Sequence, residues 1–191
     1  FFESASGFST TGASILDNVE ALSHSMLFWR SFTHWVGGMG VLVFILAIAP
    51  LAGSYTVNLM RAESPGPQVE KVMPKLGSTA KLLYLIYACL TLLQFILMCA
   101  GGMPVFDSLL TAFGTAGTGG FGIKNSSIAD YNTYIQSVIT VFMLLYGVNF
   151  SIYYMILLKK LKPAFKNEEL RLYLGIVAVS IILITLNVAD R

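Results

Sequence analysis

The sequence predicts an all-α integral membrane protein built from a repeated unit of helix, re-entrant pore helix with a glycine loop, and helix. Three observations predict it. Of the 191 residues, 55% are hydrophobic and only 12% charged, with a mean hydropathy of +0.72; that is about half the charge of an ordinary soluble domain. The apolar residues gather into runs long enough to cross a bilayer, for which about 20 residues at about 1.5 Å each suffice. Two glycine-rich stretches, residues 6–14 (SGFSTTGAS) and 114–124 (GTAGTGGFGIK), interrupt these runs, and placing Gly12 on Gly120 also places Thr10 on Thr118, an offset of 108 residues.

Residues 1–8 read as the last turns of a short helix. With no initiator Met and no signal peptide, the numbering is expected to begin inside a longer protein. Residues 15–25 are polar enough for an aqueous loop. Residues 26–51 hold the next span, with Trp29 and Trp35 placed as interfacial anchors and Pro50 ending it. Thr33 and Gly37 have a small-xxx-small spacing that admits another helix closely. Arg30 and His34, also four apart, share one face. Arg30 either snorkels to the interface or pairs with Glu3, and His34 reads as a hydrogen-bonded packing residue rather than a metal ligand.

Residues 53–75 form a charged, proline-containing connection, and residues 76–100 the next span, with Gln94 its one strongly polar interior residue. Cys89 and Cys99, ten apart in one apolar run, fit neither a disulfide framework nor a metal site and are expected to face lipid or to pack. Gly101 to Pro104 break this run. Residues 105–115 then form a helix with Pro104 and Asp107 suitably placed at its positive end. Eleven residues cannot span a bilayer, so this is a re-entrant helix leading into the second glycine loop. Residues 134–158 supply another span, with Gly147 and Asn149 in its middle, where the Asn149 amide needs a partner. Residues 172–188 are the last. The total is four spans and two re-entrant elements.

Irregular backbone survives at membrane depth only where protein buries it or where it lines a watery path. Glycine permits the positive φ that aims successive carbonyls at one axis, and carbonyl and threonine oxygens can then replace the water shell of a cation. A single such loop would read as an ordinary turn, but two copies flanked by spans favour an ion-lining role. A membrane-embedded enzyme would need convergent groups, whereas Glu3, His24, His34 and Asp107 are scattered and neither HExxH nor GxSxG occurs. A phosphate cradle at residues 114–122 fails because no GK[ST] follows. A purely structural membrane protein would leave the loops unexplained. The net charge of +2 is too small to argue for nucleic acid. Residues 53–75 and 159–171 hold eight of the twelve lysines and arginines, which makes them cytoplasmic by the positive-inside rule. Counting spans from them places both glycine loops on the outer side.

SGFSTTGAS, FWRSFTHWVGGMGVLVF, RAESPGP, TGGFG and LLYGVNFSIYY, in this order and spacing, resemble the membrane subunit of Trk-type potassium transporters, the superfamily that includes the Ktr and plant HKT proteins. The resemblance covers essentially the whole chain. It implies potassium uptake through a K⁺-channel-like pore, with four fused repeats forming a pseudo-tetramer that is incomplete here. Residues 1–51 would be the end of the first repeat and 52–75 a cytoplasmic connection. Residues 76–160 would be the second repeat, and 161–191 a further connection with the first helix of the third. It implies K⁺ at Thr11, Gly12, Gly119 and Gly120, within a filter formed by Thr10, Thr11, Gly12, Thr118, Gly119, Gly120 and Phe121; Asn149, polar and central in its span, and Arg30 are the pore or gating candidates. The second loop departs from the commoner pattern at Thr118 and Gly122. Both loops are shorter than a K⁺ channel's, which suggests weaker discrimination against sodium, so a Na⁺ or mixed K⁺/Na⁺ member of the superfamily is the alternative. The resemblance further implies a multi-pass protein of the inner (cell) membrane in contact with lipid, a homodimer, a cytosolic nucleotide-binding regulatory subunit, and no organic cofactor in this chain.

Overall fold

The computed structural model describes residues 1–40, 69–157, 159 and 166–189, and all regular structure among them is α-helical. The helices are α1 (Phe2–Phe8), α2 (His24–Gly38), α3 (Val69–Ala100), α4 (Val105–Ala116), α5 (Thr133–Tyr146), α6 (Phe150–Leu157) and α7 (Glu168–Ala189). Pro50 and most of the expected connection at residues 53–75 lie outside the described residues, as do Lys160 and Lys162. The chain divides into two compact units, residues 1–146 and 147–191.

In the first unit the starts of α2, α4 and α5 have local causes. The Ser23 hydroxyl accepts from the Met26 N–H at 3.4 Å ahead of α2, and the Asn132 amide oxygen accepts from the Ile135 N–H at 2.9 Å ahead of α5; both satisfy donors that a helix leaves orphaned. Pro104 stands at the N-cap of α4 with Asp107 in its first turn. Helix α3 begins at Val69, earlier than the expected span at residue 76. Hydropathy marks where a helix stops being apolar, whereas its backbone bonds continue through helix-compatible residues such as Glu70 and Lys71.

Helices α3, α4 and α5 bury one apolar cluster of Met98, Met103, Ala112, Ile135 and Ile139. Val19, Leu27, Leu110 and Ile123 form a second cluster between α2, α4 and the loops before α2 and after α4. Polar groups tie the helices as well: Trp35 Nε1 donates to Thr91 Oγ1 at 3.1 Å, and the Tyr87 hydroxyl donates to the Trp35 carbonyl at 2.8 Å. The Thr33–Gly37 face admits a neighbour as expected. A β-carbon on Gly37 would lie 2.5 Å from the Phe8 carbonyl oxygen, so α1 crosses α2 in near-backbone contact.

The second unit differs from the expected continuous span at residues 134–158. The helix stops at Tyr146 and restarts at Phe150, leaving Gly147, Val148 and Asn149 between α5 and α6. Asn149 is exposed, and its amide donates to the Glu169 carboxylate at 3.0 and 3.2 Å. The Asn167 amide oxygen accepts from the N–H groups of Glu169 and Leu170, at 2.9 and 3.2 Å, and so caps α7. Residues 81–100 within α3 and residues 168–188 within α7 are long and apolar enough to cross a membrane.

Candidate functional site

The two glycine loops repeat each other in backbone as well as in sequence. Thr10 and Thr118 have φ of 54° and 56°, and Gly12 and Gly120 have 71° and 77°. In each loop the threonine N–H returns to the helix before it, Thr10 to the Gly7 carbonyl and Thr118 to the Thr115 carbonyl, both at 2.9 Å. A β-branched residue at positive φ is a genuine outlier, costing of the order of 1–3 kcal/mol. Here it occurs twice, at matching positions.

The loops also meet. A β-carbon on Gly12 would lie 2.6 Å from the Gly119 carbonyl carbon and closer to its oxygen, while one on Gly119 would run into the Thr10 carbonyl oxygen. Thr11, Thr118 and Gly120 are exposed, Thr10, Gly12 and Gly119 partly so. Nothing stands within 4 Å of the position a Gly120 β-carbon would take. Of the expected filter residues, Phe121 alone is buried. Its ring lies under the Arg30 guanidinium, 3.7 Å from the centroid, and edge-on to His34 at 4.8 Å; its backbone, not its side chain, is what the loop offers.

Arg30 is 5% exposed and pairs with Glu3, Nε to Oε2 at 2.6 Å, so pairing rather than snorkelling describes it. Its Nη1 donates to the Gly122 carbonyl at 2.6 Å. The other Glu3 oxygen accepts from the Ser14 hydroxyl and the Ile15 N–H, each at 3.0 Å. One carboxylate therefore joins the exit of the first loop to Arg30, and Arg30 joins it to the exit of the second. His34 is fully buried and accepts the Gly119 N–H at Nε2, 3.1 Å away. The expected hydrogen-bonded packing role is correct. The partner, 85 residues further along the chain, has no local signal, although the shared face of Arg30 and His34 points to a common neighbour.

Outside the loops, Asn125 receives the Val19 N–H at Oδ1 and donates to Asn18 Oδ1, both at 2.9 Å, and its own N–H reaches Glu20 at 3.0 Å. Sequence alone singled out none of these. Tyr131 donates to the Asp107 carboxylate at 2.9 Å, and burial, reinforced by that carboxylate, holds the phenol protonated well above its usual range. Asn149 belongs to the second unit.

The regular structure of the described residues is all α-helical, and two of the helices are long and apolar enough to cross a membrane, as those of helical membrane proteins are. A family profile described as TrkH, cation transport protein, matches residues 1–188, and the chain belongs to that family. The family is one of transporters, not of enzymes. The chain is 36% identical over 189 residues to the Trk system potassium uptake protein TrkH of Salmonella typhimurium, covering 97% of this chain and 39% of that protein. An uncharacterized cation transporter of Methanocaldococcus jannaschii is 38% identical over 160 residues, 83% of this chain and 33% of that one. Among solved structures, the potassium transporter TrkH from Vibrio parahaemolyticus is similar with a TM-score of 0.62 at 32% identity, over 80% of this chain and 30% of that chain. The chain thus spans 39% of the length of the Salmonella relative.

Proposed function

We propose that this chain is part of a potassium-uptake transporter and that Thr10, Thr11, Gly12 and Thr118 to Phe121 contribute its selectivity filter, with K⁺ at Thr11, Gly12, Gly119 and Gly120. The observation that carries this is the pairing of positive φ at residues 10 and 12 with the same pattern at 118 and 120, in two loops that touch. Alternating backbone hand turns successive carbonyls toward one side, which is what replacing a cation's water shell requires. The relatives' names, Trk system potassium uptake protein, supply the ion.

In this reading both loops face the outer side of the cell membrane, and the connections at residues 53–75 and 159–171 face the cytoplasm. Those connections are where a nucleotide-binding regulatory subunit would dock on a homodimer. The test is K⁺ and Na⁺ flux through the full-length protein in liposomes. K⁺ should be preferred, and Gly120→Ser, which adds a side chain at φ 77° without a steric clash, should lower the K⁺/Na⁺ ratio. An unchanged ratio at normal protein amount removes these loops from the filter, and equal K⁺ and Na⁺ flux in the wild type makes the protein a mixed conductor instead.

A further inference from the structure

The first loop is held by its own helix. Ser6 accepts the Thr11 N–H at its carbonyl, 3.0 Å away, and donates its hydroxyl to the Ala13 carbonyl at 2.6 Å. The offset of 108 residues makes Gly114, Gly119 and Phe121 the counterparts of Ser6, Thr11 and Ala13. Gly114 has no hydroxyl to give and no room for one, since a β-carbon there would lie 2.5 Å from the Phe121 carbonyl oxygen. The Gly119 N–H turns instead to His34 on α2. Three residues on, the Gly122 carbonyl turns to Arg30, also on α2.

We propose that His34 and Arg30 are positioning residues that set the second loop from a neighbouring element, taking over the task that Ser6 performs in the first. The proposal rests on reading the loops as the filter. A trans peptide is planar with its N–H and C=O opposed, so holding the Gly119 N–H against His34 directs the Thr118 carbonyl away from His34. The Arg30 bond turns the Gly122 carbonyl outward to the guanidinium and ends the usable row. Between the two anchors, Gly120 keeps φ 77° with open space where its β-carbon would stand. Glu3 completes the device. By binding Arg30 Nε together with Ser14 and Ile15, it fixes the guanidinium and makes the outer ends of both loops share one anchor. A packing role alone would ask only for bulk at position 34, whereas this one asks for an acceptor at the Nε2 position.

The test is ion competition in the full-length transporter, reconstituted with protein amount controlled. His34→Leu and Arg30→Met should each lower the K⁺/Na⁺ ratio by about threefold or more, the scale of one or two lost backbone anchors. His34→Gln, whose amide oxygen can take the place of Nε2, should recover most of the ratio. Trp35→Phe, which loosens α2 against α3 through Thr91, should change protein amount and leave the ratio alone. If His34→Leu fails to reach the membrane, His34→Asn, polar but too short for Gly119, carries the same expected loss. Should Gly120→Ser lower the ratio while the His34 and Arg30 variants keep it, the positioning role is wrong and the filter stands. Should the ratio survive in all of them, the filter reading fails and takes this inference with it.

Discussion

Gly12 and Gly119 leave no space between them for a side chain: a β-carbon on Gly12 would sit 2.6 Å from the Gly119 carbonyl carbon, in a loop that already holds Gly12 at φ 71°. Gly120 has the same backbone hand and open space beside it. Glycine is therefore required at the two positions for different reasons, conformation alone at Gly120 and conformation plus contact at Gly12.

Gly120→Ala should cost about 1–2 kcal/mol, the penalty of a left-handed residue. Gly12→Ala adds the cost of overpacking against backbone that cannot step aside, for a total of about 2–5 kcal/mol. Thermal melts of the purified full-length protein should rank Gly12→Ala below Gly120→Ala. The reverse order would mean that the loops are not in contact as described.

The Glu3–Arg30 pair makes a second, separable claim about stability. Arg30 is buried and Glu3 only 21% exposed, so removing one charge leaves the other largely buried without its counter-ion, at about 3 kcal/mol or more. Glu3→Gln and Arg30→Met should each destabilise strongly, and the double variant by clearly less than their sum. Additive losses in that cycle would show that the two side chains do not depend on each other.

The elements were legible where their causes are local. Gly101 and Gly102 followed by Pro104 located the start of α4, and its end at Ala116 falls one residue beyond the expected 115. The pairing of Thr10 with Thr118 and of Gly12 with Gly120 was visible as a sequence offset and returned as matching φ values. The His34 bond to Gly119 and the Arg30 bond to Gly122 join residues 85 and 92 apart. No periodicity encodes such a distance; the shared face of Arg30 and His34 hinted at a common neighbour without naming it. The break at Gly147 to Asn149 was missed because hydropathy runs through it unbroken, and one glycine costs a helix only about 1 kcal/mol.

Tyr131 offers a check on the scaffold that holds α4, through a bond that involves no residue of the two glycine loops. Tyr131→Phe loses a hydrogen bond to the Asp107 carboxylate, worth about 1.5–3 kcal/mol, and should lower stability with the K⁺/Na⁺ ratio unchanged. The phenol's raised folded pKa also fixes a sign. Its contribution is fully present below the unfolded value of about 10 and is lost as pH rises beyond it, because the unfolded chain releases that proton first. Wild-type stability should therefore fall above about pH 10 more steeply than that of Tyr131→Phe. Parallel profiles would show that neither burial nor Asp107 holds the phenol protonated in the folded protein.

The interruption at Gly147 to Asn149 gives the second unit a functional candidate. The backbone leaves the helical path at Gly147 to Asn149, and a cavity of about 240 Å³ lies beside these residues, lined by Asn149, Glu169 and Tyr173 among others. Asn149 and Glu169 are both exposed, so their hydrogen bonds at 3.0 and 3.2 Å contribute at most about 1 kcal/mol to stability. Asn149→Leu should accordingly leave protein amount and melting temperature nearly unchanged. Its effect should fall on conduction, because the amide is the polar group that joins the restart of the helix at α6 to the start of α7. Glu169→Gln, which keeps a hydrogen-bonding side chain of the same length, should change flux less than Asn149→Leu. Flux per molecule through the full-length transporter, measured alongside amount, separates the roles: normal flux with collapsed expression in Asn149→Leu would make the residue structural only and remove it from the gating candidates.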